Sequence, residues 1–175
     1  MKSYNVSARY LSYLLTPATV CLAVPLYQQL SLLKKHARAI LAGTVTGVLT
    51  TMATVLVLAL LFQLTHEQYV TFLPKSITTA IGMGVSEEMG GIVTITVACI
   101  IITGIIGNII AETVCRLFHI TEPVAKGIAI GSASHAIGTT KAMEMGEIEG
   151  AMSSLAIAVS GLCTVLFASV FANFI

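Results

Sequence analysis

The sequence predicts an all-α integral membrane protein, with about four transmembrane helices plus two re-entrant or broken half-helices arranged as an inverted repeat. Three observations predict it. Of 175 residues, 56% are hydrophobic and only 10% charged, where a soluble domain carries roughly 25% charged, and the mean hydropathy is +0.93. Long stretches carry no charge at all, and two short segments rich in small polar residues resemble one another. Too few charges remain to coat a globule, so soluble enzyme classes recede. A net charge of +1 without a long basic run leaves no footprint for nucleic acid.

The spans follow from the charge-free stretches. Between Arg9 and Lys34 lie 24 residues without Asp, Glu, Lys or Arg, between Arg38 and Glu67 28, between Glu88 and Glu112 23, and after Glu149 the last 26. Each exceeds the roughly 20 apolar residues that a helix needs to cross. The first follows Lys2 and Arg9 as a signal peptide would, but it is long, interrupted by Pro17 and Pro25, and followed by three more candidate spans. It is read as a span. Spans two and three are expected over about residues 39–63 and 92–115, and the last from about Gly150.

Two uncharged stretches, residues 76–86 (11) and 127–140 (14), are too short to cross unaided and suit re-entrant segments. Lys34, Lys35 and Arg38 form the densest basic loop and set the cytoplasmic side, with Arg116 and Lys126 agreeing. The first short segment then enters from outside and the second from the cytoplasm.

At an offset of 56 (132 − 76), residues 76–91 lie over 132–147 with seven of sixteen positions identical, among them Gly82/Gly138, Glu88/Glu144 and Gly90/Gly146. Shared compositional bias is the bland explanation. Inverted repeats with interrupted hydrophobic segments in matching positions point instead to a transporter site near the midplane. Irregular backbone survives in hydrocarbon only where protein or a water-filled cavity shelters it. Gly82, Gly84 and Gly138 are the expected breaks. Ser76, Thr78, Thr79, Ser132, Ser134 and Thr139 supply hydroxyls, Lys75 and Lys141 flank the segments, and half-helix N-termini favour an anion. Ser86 before Glu87 and Glu88 reads as an N-cap opening a new helix.

His135 is either a substrate or proton contact or a neutral imidazole bonded within a packed turn. Glu88 and Glu144 are gating candidates, or residues at the water interface. Glu112 with Asn108 reads as a marker of the cytoplasmic headgroup level, and Lys141 as a binding cation or a snorkelling surface lysine.

Other chemistries lack their patterns. Cys21, Cys99, Cys115 and Cys163 show no CxxC spacing, and the four histidines are scattered without HExxH, so no metal and no cofactor is expected. Residues 131–141 lack the GK[ST] order of a phosphate loop. Ser132, Ser134 and His135 have no third member for a hydrolase, so no enzyme activity is expected. Gly43xxxGly47, Gly127xxxGly131 and Gly146xxxGly150 fit close helix approach.

Several motifs together resemble the LrgB/CidB family: Leu15-Thr-Pro-Ala-Thr-Val-Cys-Leu-Ala-Val-Pro-Leu-Tyr27, Leu73-Pro-Lys-Ser-Ile-Thr-Thr79, Glu88-Met-Gly-Gly-Ile92, Gly131-Ser-Ala-Ser-His-Ala-Ile-Gly-Thr139 and Glu149-Gly-Ala-Met-Ser-Ser154. The likeness runs from about residue 8 onward through a single membrane domain, residues 1–175, with the repeat in segments 74–91 and 127–147. It departs in two places. Family members carry two further spans' worth of sequence ahead of the Pro-Ala-Thr motif, and their proline after Thr-Thr is Ala80 here. The resemblance implies a multi-pass protein of the bacterial cytoplasmic membrane that works with a small holin-like partner of the LrgA/CidA type to restrain murein hydrolase activity and lysis. It also implies movement of small monocarboxylates such as pyruvate or glycolate. On that reading Lys75, Ser76, Thr78, Thr79, Ser132, Ser134, His135, Thr139 and Lys141 handle the carboxylate. The protein is expected to be a homo-oligomer.

Overall fold

The computed structural model describes residues 27, 28 and 30–175. The first expected span lies for the most part outside them. The described residues form helices and turns with no strand. Helix α1 (Leu30–Leu61) starts earlier than expected, because its basic first turns extend the helix beyond the apolar layer with Lys34, Lys35 and Arg38 exposed. Residues 34–61 of α1, α4 (Val93–Leu117) and α6 (Glu147–Phe171, with a 3-10 turn Ala172–Phe174) are long and apolar enough to cross a membrane. An outward face of bare isoleucines on α4, Ile109 71% exposed among them, is what a helix meeting lipid presents.

Between α1 and α4 the chain makes a short hairpin. Helix α2 (His66–Phe72) opens on a capping box, in which the Thr65 hydroxyl accepts from Gln68 N–H and Gln68 Oε1 accepts from Thr65 N–H. Pro74 cannot continue it. After a tight turn over residues 73–78, α3 (Thr79–Glu88) runs back. The return is tied down by hydroxyls: Thr71 Oγ1 accepts from Ile92 N–H at 2.8 Å, Thr96 Oγ1 donates to Thr71 O at 2.9 Å, and Ser86 Oγ meets Thr96 Oγ1 at 2.7 Å. This corrects two expectations. Ser86 caps nothing; it is buried inside α3 and spends its hydroxyl on α4. Gly82 and Gly84 do not break the helix, which runs unbroken through both, while the interruption falls at residues 73–78.

Helix α5 (Pro123–Met145) is a second hairpin. His135, at φ 43° and ψ −143°, departs from helical geometry inside it. Ile130 and Ala142 pack in one cluster with Ala111, although a straight helix would hold them about 18 Å apart. Gly131 and Thr139 both meet Ser153. The chain therefore folds back at His135, not at Gly138. The outgoing limb is gripped on two sides: Cβ atoms at Gly43 and Gly47 would meet Ile128 and Ser132, and one at Gly127 would lie 2.6 Å from Met152 Cβ. Two of the three GxxxG pairs thus mark where α1, α5 and α6 approach closely.

Ten-residue α3, the turn at Gly90 (φ 79°) and 25-residue α4 correspond to residues 136–145, the turn at Gly146, and 25-residue α6.

Candidate functional site

Both hairpin tips come to the same stretch of α4. His135 is 3% exposed, and its Nε2 lies 2.8 Å from Ile100 O. A carbonyl only accepts, so Nε2 carries the proton and donates. On the other side Ile100 presses its side chain on Gly82 of α3, and Lys75 lies within electrostatic reach of Cys99. Ile100 is fully buried between the two.

Lys75 is half-buried, and its ammonium donates to Ser76 Oγ at 3.0 Å. All eight carboxylate side chains of the protein are among the described residues, and none forms an ion pair with it there. Thr78 is the N-cap of α3 but makes no side-chain cap bond, and Thr79 is the first helical residue. Lys75 precedes the first residue of α3 by four positions, and a helix N-terminus and a cation each favour a small anion.

The remaining expected residues do not join this cluster. Ser132 turns toward α1 and donates to Ile128 O at 2.7 Å. It lines a largely apolar groove of about 730 Å³ between α1 and the outgoing limb of α5, which offers an anion no lysine or arginine and carries Glu122 in its lining. Ser134 packs on Gly107, and Thr139 is spent on His135 O (2.9 Å) and on Ser153 Oγ (2.7 Å). Lys141 is paired with Glu144 at 3.0 Å and with Glu112 at 3.8 Å. Glu88 is exposed at the end of α3. Lys141 and Glu144 belong to a separate polar cavity of about 450 Å³, shared with Arg116, Lys126 and buried Glu149. Residues from both limbs of α5 line it, as they must if the segment enters and leaves by one face.

Sequence reasoning missed the strip of α4 that receives the second hairpin. A Cβ at Gly104 would lie 2.7 Å from His135 Cε1, and one at Gly107 would overlap Ser134. One residue on, Asn108 Nδ2 donates to Ile137 O (2.9 Å) and Thr140 Oγ1 (2.8 Å). Asn108 fastens the returning limb. An amide within a charge-free stretch is the signal that would have found it.

The sequence model of the LrgB-like family matches residues 1–174. The chain belongs to the LrgB-like family. Among LrgB relatives, proteins named "Antiholin-like protein LrgB" from Bacillus mycoides (strain KBAB4), Bacillus cereus (strain B4264) and Bacillus anthracis (strain CDC 684 / NRRL 3495) are each 37% identical over 174 residues. That alignment covers 99% of this chain and 76% of each relative. No solved structure matches. With its span-length helices, this LrgB-like chain is a multi-pass bacterial membrane protein.

Proposed function

We propose that the protein carries a small monocarboxylate of the pyruvate or glycolate type across the membrane, and through that flux modulates murein hydrolase activity and lysis. The carboxylate binds at the tip of the first hairpin, on Lys75, Ser76 and the start of α3 at Thr78 and Thr79, with His135 on the far side of Ile100. The observation that carries this reading is Lys75, a half-buried cation with no carboxylate among its described neighbours. Burying an unpaired charge is expensive, and a substrate anion supplies the missing partner. One cation suits one negative charge. A single membrane domain, its repeats at residues 74–91 and 127–147 opening to opposite faces, gives such a site access from both sides.

The relatives' name, antiholin-like, favours a second reading: regulation by direct contact with a small holin-like partner of the LrgA/CidA type, without transport. Both readings accommodate a homo-oligomer. Uptake of labelled pyruvate and glycolate into proteoliposomes separates them, using the protein alone and with such a partner, beside His135→Ala and Lys75→Gln. Saturable uptake lost in the variants supports the carrier. No uptake from correctly inserted protein in either preparation sinks it and leaves the contact mechanism.

A further inference from the structure

We infer that the seam between α1 and α6 holds one acyl chain of an anionic phospholipid, with its phosphate on Lys34, Lys35 and Arg38. This stands independently of the carrier reading. The seam contains an apolar cleft of about 330 Å³, with Lys34 at its mouth and Ile40, Leu41, Leu155 and Val159 on its walls. The two helices run side by side in the same direction: Ile40 packs with Ala151 and Met152, and eight residues on, Val48 packs in the cluster of Cys163. Lys34 therefore stands at the level of the first turns of α6. The α1 wall of the cleft runs seven residues from Lys34 to Leu41, about 10 Å at 1.5 Å per residue. One leaflet of hydrocarbon is about 15 Å thick, so the cleft takes the headgroup-proximal two thirds of a single acyl chain.

Charge complementarity decides the headgroup. Lys34, Lys35 and Arg38 are exposed, and among the described residues none forms an ion pair, although every carboxylate side chain of the protein is described. Basic residues clustered beside a membrane helix attract anionic lipid, each worth about fivefold in affinity. A zwitterionic phosphatidylcholine brings its own cation and gains little. The positive-inside rule accounts for the basic loop facing the cytoplasm, but not for an apolar slot opening beneath it.

The protein contains no tryptophan, so Leu155→Trp places a sole indole in the cleft, with Val159→Trp as a second probe should the first variant fold poorly. Ile109→Trp, on the outward face of α4, is the control. Each is reconstituted in phosphatidylcholine vesicles containing bromine-labelled phosphatidylglycerol or bromine-labelled phosphatidylcholine, and quenching is measured. The expected result is preferential quenching by phosphatidylglycerol in the cleft, by tenfold or more in apparent affinity. That preference is absent at Ile109→Trp and lost when Lys34, Lys35 and Arg38 are changed together to Gln. Equal quenching by both lipids would mean ordinary boundary lipid and overturn the proposal. So would a preference that survives the triple change, or an indole that neither lipid reaches because protein fills the cleft.

Discussion

His135 Nε2 donates to the carbonyl oxygen of Ile100 at 2.8 Å, joining the bend of one re-entrant hairpin to the helix turn that supports the other. His135 also holds an unusual backbone, φ 43° and ψ −143°, which disfavours any residue with a Cβ and costs on the order of 1–3 kcal/mol. Backbone and ring therefore pull in opposite directions. His135→Gly should keep the bend, relieve the strain and remove the ring, whereas His135→Ala removes the ring and keeps the strain. Thermal unfolding in detergent should rank His135→Gly above His135→Ala, and uptake should be lost in both. Retained uptake in His135→Gly would show that the histidine serves only the fold.

Lys75→Gln separates binding from stability. Among the described residues no carboxylate pairs with Lys75, so its removal leaves no buried counter-charge behind. Melting temperature should stay level or rise, while the KM for carboxylate uptake rises about tenfold or more, the ordinary effect of losing one charge-assisted hydrogen bond. A fall in stability with unchanged KM would make Lys75 structural.

The glycines of α4 and α3 should divide by what surrounds them. A Cβ at Gly107 would overlap Ser134, and one at Gly104 would press on the His135 ring, whereas one at Gly84 meets nothing within 4 Å. Gly107→Ala should destabilise by about 1–3 kcal/mol through overpacking. Gly84→Ala should be neutral or stabilise by up to about 1 kcal/mol through helix propensity. Reversible unfolding of the two single variants gives the order directly.

Asn108 makes a similar contrast with Lys141. Asn108→Ala removes two hydrogen bonds from the returning limb of α5, worth together about 1–2 kcal/mol for polar contacts between membrane helices. It should also lower uptake by letting His135 shift. Lys141 joins exposed Glu144 and Glu112 near the water, where ion pairs are screened and contribute little. Lys141→Gln should leave both melting temperature and uptake nearly unchanged. A large uptake defect in Lys141→Gln would return that residue to the binding site.

These contrasts also mark what the sequence disclosed. Span-length helices were legible because excluding charge from about 30 Å of hydrocarbon leaves long uncharged runs. Ten-residue α3 followed by 25-residue α4 has the same lengths as residues 136–145 followed by 25-residue α6. The breaks were misplaced because glycine only permits a break. In α3, Gly82 is needed for the close approach of Ile100 instead, and the second bend is forced at a histidine that tertiary contacts hold. Ser86 was misread for a related reason: a serine before two glutamates is a good local cap, but a buried hydroxyl 2.7 Å away on Thr96 outbids it. Asn108 spoke only through its partners Ile137 and Thr140, which local pattern does not reveal.

The expected inverted arrangement yields the sharpest geometric prediction. If α5 enters and leaves by one face, Glu122 just before it and Glu144 near its end lie on the same side, both exposed. If the first hairpin opens oppositely, Glu67 in α2 and Glu88 at the end of α3 share the other side. Single cysteines at these four positions, in a background with Cys21, Cys99, Cys115 and Cys163 changed to Ser, would be challenged in oriented vesicles with a membrane-impermeant maleimide. Glu122→Cys and Glu144→Cys should react only from the face bearing Lys34 and Arg38, and Glu67→Cys and Glu88→Cys only from the opposite face. A helix crossing straight through would put Glu122 and Glu144 on different sides. Two hairpins opening the same way would put all four on one, leaving the tips at Ile100 with access from a single compartment, which a carrier cannot use.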